Sequence, residues 1–310
     1  MRVLLILALT ACNPDADDTA SEVVDLRGDF PEAPDGGIQF KTPDQTIPAY
    51  TEKQWCYFDT YTGPDVAITD VDTWQSQYGH HIQLLSTQNS VDEFPDGDAF
   101  DCTDRSTLPM TDMDPIYIAQ PEEVGHTDMH LPDGMGVELE SGTRIVLQSH
   151  YLNTSADDIL VNDVVNIGVM DPEEVVTWAA PFAHVLTDMP IPAGQETTLK
   201  VDCTFDGDYD ILYLGGHMHE WGTRYSIDWL KDADDTENVY SVDPWDALYR
   251  DQPPMNSYQD GEMVVSAGQC FETSCTWYND TDHEMNFPEE MCATFGMLYP
   301  SKVPQICDPS

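Results

Sequence analysis

The chain has 310 residues, more than one small core needs, which fits one large domain or two domains of medium size. It carries 58 acidic and 11 basic residues, a formal net charge of −47, so its surface repels nucleic acids and anionic lipid headgroups. The hydrophobic fraction of 41% is enough to build a folded core. The net charge thus excludes electrostatic binding to nucleic acids or anionic lipids, and particular residues have to indicate the function.

The first twelve residues resemble a bacterial lipoprotein signal. One positive residue, Arg2, precedes a short apolar run, and Leu9-Thr-Ala-Cys12 resembles a lipoprotein cleavage site. The run is too short to span a bilayer. We therefore expect export to the cell envelope, removal of residues 1–11, and a lipid on Cys12 as the sole membrane contact, with residues 13–40 as an acidic, disordered tether. The alternative is a cytosolic protein with an apolar start.

Seven cysteines remain after Cys12, an odd number for a protein in an oxidising compartment. Three disulfides and one spare thiol are the simplest arrangement. The chain has no Cys-x-x-Cys pair, so a structural zinc site built on cysteine is not expected.

Short apolar or alternating runs, separated by glycine, proline, aspartate and asparagine, predict an all-β fold with many turns. The clearest predicted strands are Val137–Leu139, Thr143–Tyr151, Val164–Met170, Thr197–Cys203 and Ile211–Leu214. We place a boundary at Asp171–Glu174 and expect two β-sandwiches, residues 41–171 and residues 172–310. Acidic clusters such as Asp206–Asp210 do not fit an EF-hand loop and are interpreted as solvated turns.

The segment Leu214-Gly-Gly-His-Met-His-Glu-Trp-Gly222 holds two histidines, His217 and His219, one residue apart. Side chains at i and i+2 leave the same face of a strand, so both imidazoles could reach one metal ion. Met218 between them should point to the opposite face and serve as core. A surface pair without a function is the alternative for this motif taken alone.

Three further places offer metal ligands. His80 and His81 are adjacent, so both could reach one ion only if a bulge twists the strand, for which Gly79 is a candidate aid. His150 ends a predicted strand, and Met291 lies in Pro288-Glu-Glu-Met-Cys292. A lone strand histidine or buried methionine is more often core, but a thioether beside two imidazoles favours redox copper over zinc.

Together these segments resemble the copper type II, ascorbate-dependent monooxygenases, a family that includes dopamine β-monooxygenase and peptidylglycine α-hydroxylating monooxygenase. The matching segments are Gly79-His-His-Ile82, Leu147-Gln-Ser-His-Tyr151, Gly216-His-Met-His219 and Glu290-Met-Cys292, in the family's order and within residues 50–307. The resemblance implies two tandem jelly-roll-like antiparallel β-sandwiches. It also implies two copper ions, an electron-transfer copper on His80, His81 and His150, and a dioxygen-binding, catalytic copper on His217, His219 and Met291.

The same resemblance implies three disulfides, Cys56–Cys102, Cys203–Cys307 and Cys270–Cys292, with Cys275 left as a buried thiol. The peptide-hydroxylating branch holds its substrate carboxylate with an arginine, an asparagine and a tyrosine, where this chain has Gly215, Ala293 and Phe295. A carboxylate in an apolar pocket without partners is strongly disfavoured, so a neutral or apolar substrate is expected. Trp221, Phe295 and Tyr213 could line its pocket or could be core.

The resemblance therefore implies an enzyme that hydroxylates a C–H bond of a small molecule with dioxygen and an ascorbate-like reductant. A periplasmic copper-binding or copper-delivery lipoprotein fits the same ligands, and a lipid-anchored module without metal is the third alternative. His126 and His130 are four residues apart, but the surrounding glycine, aspartate and proline argue against a helix that would align them, so no metal role is expected. His184 and His283 have no partner in sequence and are expected to be structural or exposed.

Overall fold

The computed structural model describes residues 23–103, 113–119, 125–250, 253–287 and 289–307. Within these ranges the regular structure is β-strands plus two 3-10 turns, Pro172–Glu174 and Ala247–Arg250. This confirms the all-β prediction. The predicted signal, Cys12 and residues 13–22 lie outside the described ranges, and no helix within them is long and apolar enough to cross a membrane.

The first half of the chain forms fourteen of the strands in the described ranges. They are β1 (Val23–Asp25), β2 (Ile38–Lys41), β3 (Gln45–Ile47), β4 (Thr51–Thr60), β5 (Val66–Gln75), β6 (Gly79–Thr87), β7 (Ala99–Asp101), β8 (Met113–Ala119), β9 (His126–His130), β10 (Met135–Leu139), β11 (Arg144–Asn153), β12 (Asp158–Val161), β13 (Asp163–Met170) and β14 (Thr177–Trp178). One sheet has the order β14-β10-β5-β13-β2 with β9 beside β5, and a second has the order β7-β4-β11-β6-β8. Apolar residues from both sheets fill the core between them, among them Ile68, Val165, Leu84 and Leu147. Strands β1, β12 and β3 form a small third sheet.

The second half forms another two-sheet sandwich. Its strands are β15 (Ala180–Val185), β16 (Gln195–Thr204), β17 (Tyr209–His217), β18 (Gly222–Asp232), β19 (Asp235–Val242), β20 (Met255–Ser257), β21 (Val264–Val265), β22 (Cys270–Asn279), β23 (Ala293–Tyr299) and β24 (Gln305–Cys307). One sheet has the order β20-β17-β23-β15-β24 with β21 beside β17, and the other has the order β16-β22-β18-β19. Phe182, Leu214, Tyr225 and Trp277 belong to the core between these sheets.

All five strands predicted from the sequence are present, as β10, β11, β13, β16 and β17, with ends that differ from the predicted ends by at most three residues. The disordered tether predicted for residues 13–40 is wrong for two segments. Val23–Asp25 pairs with Asp158–Leu160, and Ile38–Lys41 pairs with Val164–Ile167. Both segments supply backbone hydrogen bonds to sheet edges, which an acidic composition alone does not rule out. At the predicted boundary, Pro172–Glu174 form a 3-10 turn, and β14 beyond it still pairs with β10.

The two halves contact each other through side chains. Met297 and Tyr299 of β23 belong to the core cluster formed by the first-half sheets, and Tyr213 of β17 packs against that cluster. The hydroxyl of Tyr213 lies 3.6 Å from Sδ of Met129 on β9. The outer face of the β17–β23 sheet is therefore turned towards the first sandwich.

Two of the three expected disulfides are confirmed, Cys56–Cys102 and Cys203–Cys307. The third prediction is wrong, because Cys292 is bonded to Cys275 and Cys270 is the free thiol. Cys270 and Cys275 are five positions apart on β22, so they face opposite sides of the sheet and lie about 17 Å apart. Cys275 is fully buried in the core with Phe271 and Trp277, the side on which Cys292 lies. Three disulfides indicate an oxidising compartment.

Candidate metal centres

His80, His81 and His150 come together on the second sheet of the first sandwich. In the pairing of β6 with β11, His150 lies opposite His81 and Tyr151 lies opposite Gly79, which leaves His80 as an extra residue on β6. A bulge here is the condition under which both histidines could reach one ion, and Tyr78 before it adopts a φ of 73°. A side chain at Gly79 would place its Cβ 2.5 Å from Cβ of Gln75, so glycine permits the close approach. The bulge turns two adjacent imidazoles to one side.

The three rings form a compact cluster in which their possible ligand atoms all lie within 4.8 Å of one another. Nδ1 of His80 lies 3.2 Å from Nδ1 of His81, a separation that two ligands each about 2 Å from one ion would have. The His150 ring lies 4.8 Å, between centroids, from each of the other two. Such a set of imidazoles suits copper or zinc.

Glu52 on β4 fixes the orientation of His150. Nε2–H of His150 donates a hydrogen bond of 2.7 Å to Oε1 of Glu52. That bond lowers the pKa of Glu52 to about 2, and burial lowers the pKa of His150, so the pair is a neutral imidazole beside a carboxylate. Nδ1 of His150 then keeps its lone pair, and this buried atom has no hydrogen-bond partner within the described ranges. A carboxylate that holds the distal nitrogen of a histidine is the usual support of a metal ligand.

Arg250 links this cluster to the second half of the chain. Nη2 of Arg250 lies 3.4 Å from Oε1 of Glu52, and Nη1 forms an ion pair with Oε1 of Glu220. Glu220 directly follows His219 in the sequence. A continuous polar chain therefore runs from His150 through two carboxylates and one guanidinium to the His217-Met-His219 segment.

His217, His219 and Met291 lie at one end of the β17–β23 pair. His217 ends β17 opposite Ala293, and Met291 precedes Ala293 by two residues. The rings of His217 and His219 have centroids 5.1 Å apart and are nearly perpendicular, at 86°. Met218 between them is fully buried in the second core, as predicted. The structure thus brings the three residues to the same end of two neighbouring strands, with the imidazoles partly exposed.

Glu290 ties these two segments together. Its buried carboxylate accepts hydrogen bonds from the backbone N–H of His219 at 2.9 Å, of Trp221 at 2.9 Å and of Met291 at 3.1 Å. It accepts a fourth from Nε1–H of Trp277 at 2.9 Å. Burial raises the pKa of Glu290 to about 7, against the opposing effect of these donors. The resemblance placed Glu290 in a matching segment but gave it no role. In the structure, Glu290 holds the His219 loop against the Met291 segment.

A backbone carbonyl orients the ring of His219. Nδ1–H of His219 donates 2.9 Å to the carbonyl oxygen of Glu289, which directs Nε2 away from that carbonyl. The disulfide between Cys292 and Cys275 anchors the residue next to Met291 in the core. Both contacts fix backbone and ring positions in the way that supporting partners of metal ligands do.

The wall beside His217 is apolar. Gly215 lies opposite Phe295 on one side and Met255 on the other, and a Cβ at Gly215 would lie 2.3 Å from Sδ of Met255. Neither Phe295 nor Ala293 offers a partner for a carboxylate. Two of the aromatic residues expected near a pocket have other contacts, since Tyr213 packs on the first sandwich and Nε1–H of Trp221 donates to Asp280 at 2.9 Å.

His184 and His283 belong to neither cluster. His184 is fully buried, and its Nε2 bonds the hydroxyls of Thr273 at 2.6 Å and Thr294 at 2.5 Å. His283 is exposed, and its Nε2 lies 2.7 Å from Oε1 of Glu289. Both positions agree with the expectation of structural or exposed histidines. Glu52 and Arg250 gave no sequence signal, because their partners lie between 30 and 198 residues away in the chain.

No known protein-family profile and no curated protein matches this chain. Among solved structures it is similar to the glycosylasparaginase PNGase F from Flavobacterium meningosepticum, with 10% identity, a TM-score of 0.39, and coverage of 87% of this chain and 97% of that one. It is also similar to the crystal structure of the STIV MCP, with 8% identity, a TM-score of 0.31, and coverage of 85% of this chain and 91% of that one. A structure of infectious bursal disease virus strain Gx gives 10% identity, a TM-score of 0.22, and coverage of 91% and 75%. At such scores these similarities carry no argument about function.

Proposed function

We propose that this chain is an exported copper-dependent monooxygenase that hydroxylates a C–H bond of a neutral or apolar small molecule. The observation that carries the proposal is the compact set of His80, His81 and His150, together with a His, His, Met set on the other sandwich. Within the described part of the chain, the buried Nδ1 of His150 has no hydrogen-bond partner. Three imidazoles suit either oxidation state of copper, and a thioether favours Cu(I). The resemblance to the copper type II, ascorbate-dependent monooxygenases assigns one copper to each set.

Copper bound at both places would supply the one-electron chemistry and dioxygen activation, with ascorbate or a similar compound as reductant. The protein's own residues do the positioning. Glu52 holds His150 in the tautomer that leaves Nδ1 free for a ligand bond. Glu290 and the carbonyl of Glu289 hold the His219 loop against the Met291 segment.

The substrate class follows from the wall beside His217. Gly215, Met255 and Phe295 offer apolar contact and no cation or hydrogen-bond donor from a side chain, so an anionic substrate would lose its hydration without compensation. We therefore propose a neutral or apolar substrate held beside His217, His219 and Met291. A copper held by His80, His81 and His150 would supply electrons. Arg250 and Glu52 connect these histidines to the His219 segment.

Export and anchoring are part of the same proposal. Leu9-Thr-Ala-Cys12 would be processed so that a lipid on Cys12 attaches the enzyme to the cell envelope, on the periplasmic or outer side. The disulfides support an oxidising location.

The decisive experiment combines metal analysis with turnover. We expect about two coppers per chain after reconstitution, and ascorbate-driven oxygen uptake with a hydroxylated product found by mass in a screen of neutral substrates. Met291→Ile should abolish turnover, whereas the control Met170→Ile, at a partly exposed strand end, should not.

Two results would redirect the proposal. A protein that binds two coppers, shows no oxygen uptake and loses only Cu(I) affinity on Met291→Ile would be a copper store or carrier. Fewer than one copper per chain would count against both functions.

A further inference from the structure

A second type of ligand cluster lies on the first sandwich, away from the three-histidine set. Strand β9 pairs with β5 in antiparallel register, so that His130 lies opposite Asp70, Asp128 opposite Asp72, and His126 opposite Trp74. Alternate residues of a strand share one face. Two histidines, three aspartates and a tryptophan therefore project from the same side of this strand pair.

The ligand atoms of this group are close together. Those of Asp72, Asp128 and His130 all lie within 4.8 Å of one another. Nε2 of His130 lies 2.8 Å from Oδ2 of Asp128, and Nε2 of His126 lies 3.6 Å from Oδ1 of Asp72. Two ligands of one tetrahedral zinc ion, each about 2.1 Å from it, lie about 3.4 Å apart. The spacings are therefore those of a nearly formed ligand set.

His126 provides an independent sign that a ligand belongs here. Its Nε2 is a buried atom without a hydrogen-bond partner in the described ranges, and 3.6 Å is too long for a hydrogen bond to Asp72. The ring is held by stacking on Trp74, with centroids 4.7 Å apart and an interplanar angle of 26°. A fixed imidazole nitrogen that faces a carboxylate beyond bonding distance has room for an ion between the two groups.

The other histidine is oriented as a metal ligand usually is. Nδ1 of His130 bonds Oδ1 of Asp70 at 2.5 Å, which leaves Nε2 facing Asp128. A divalent cation bound here would neutralise part of the charge of the neighbouring carboxylates in a chain with net charge −47.

We propose that Asp72, His126, Asp128 and His130 form a binding site for a divalent transition metal, best matched by zinc, with Asp70 as the positioning partner of His130. The mixed imidazole and carboxylate donors are those of zinc rather than of calcium or magnesium, which take oxygen alone. His130 is 59% exposed on its side chain, so an ion can enter from solvent. Bound zinc would fasten β9, which pairs only with β5 among the described strands, to the sheet.

Zinc titration of chelator-treated protein tests this site separately from the proposed enzyme activity. The variant Asp128→Asn with His130→Asn should bind one zinc fewer per chain by native mass spectrometry than the parent. A matched control is His283→Asn with Glu289→Gln, which removes another exposed histidine–carboxylate pair and should leave the zinc count unchanged. An equal count in variant and parent would overturn the proposal.

Hydrogen exchange of the unmodified protein provides the second measurement, which does not depend on how the variant folds. Zinc should slow exchange of the β9 amides, residues 126–130, at least several-fold, and magnesium at the same concentration should not. Unchanged β9 exchange with zinc would also overturn the assignment.

Discussion

Glu52 and His150 are joined by a 2.7 Å hydrogen bond that places a carboxylate behind the most buried imidazole of the three-histidine cluster. The same carboxylate lies 3.4 Å from Arg250, which pairs with Glu220 next to His219. Glu52 of β4 thus contacts His150 of one candidate centre directly and is linked through Arg250 to Glu220, beside His219 of the other.

Removing that carboxylate should weaken metal binding at the three-histidine set. Loss of a supporting hydrogen bond to a ligand histidine typically costs about 10- to 100-fold in affinity, so Glu52→Ala should lower Cu(II) affinity by that factor. The measurement is competition with a chelator of known affinity. Glu272→Gln, which removes only the partner of Lys200, is the control. Wild-type affinity in Glu52→Ala would show that Glu52 does not support a bound ion.

Glu290 should be essential for the position of the His219 loop relative to the Met291 segment. Glu290→Gln turns one acceptor oxygen into an NH2 group that faces backbone donors, and each buried donor left unpaired costs about 1–3 kcal/mol. We expect a free energy of unfolding lowered by about 1–3 kcal/mol in urea denaturation, and weaker Cu(I) binding. Glu289→Gln keeps the backbone carbonyl that holds His219 and should leave both values near wild type. A stable variant with unchanged Cu(I) affinity would contradict the role given to Glu290.

His184 should make the second sandwich sensitive to acid. Burial lowers the pKa of His184 from 6.5 to about 4, so between these pH values the unfolded chain binds more protons than the folded one. Its contribution is fully present above pH 6.5 and is lost as pH falls towards 4, a change of about 3 kcal/mol. The difference in unfolding free energy between wild type and His184→Gln should therefore become smaller as the pH is lowered from 6.5 to 4. His283→Gln, at an exposed site with a raised pKa, should not produce this slope.

Asp163 should act with the opposite sign in the first sandwich. Burial raises its pKa from 3.8 to about 6, despite the hydroxyl groups of Ser149 and Tyr151 that donate to it. The folded chain therefore binds more protons between these values, and stability falls by about 3 kcal/mol as pH rises from 4 to 6. Asp163→Asn should remove this fall, as measured by denaturation at several pH values. A variant with the same pH slope as wild type would show that Asp163 is ionised throughout.

The disulfide pattern can be checked by peptide mapping without reduction. A peptide pair joined through Cys275 and Cys292 should be found, and denatured, unreduced protein should be alkylated at Cys270. Cys275→Ser should destabilise the fold by about 3 kcal/mol, since the bridge closes a loop of 17 residues, while Cys270→Ser should change stability little. A Cys270–Cys292 peptide would restore the original pairing.

Much of the fold was readable from local pattern. Alternation and turn residues marked β10, β11, β13, β16 and β17. The His-x-His spacing predicted two neighbouring imidazoles with Met218 inside, although β17 ends at His217, so that His219 lies in the loop after the strand and not on its face. The bulge at His80 meets the condition stated from the sequence, that two adjacent strand residues can face the same way only where the backbone is bulged or twisted. These features depend on backbone periodicity over a few residues.

Where prediction went wrong, the same periodicity was not applied far enough. Phe271, Thr273, Cys275 and Trp277 alternate on β22 and share its buried side, a pattern that favours Cys275 over Cys270 as the core disulfide partner. His126 and His130 were set aside because no helix could align them, yet residues four apart also share a face of a strand, as they do on β9.

The sequence by itself determined the strand pattern and the short-range pairs of histidines, because each depends on side chains a few positions apart. Only the tertiary structure decided that Glu52 supports His150, that Arg250 reaches across to both halves, that Glu290 joins His219 to Met291, and that β9 brings its histidines to the aspartates of β5. These partners are up to about two hundred residues apart. Their contacts depend on sheet order and register, which local periodicity does not specify.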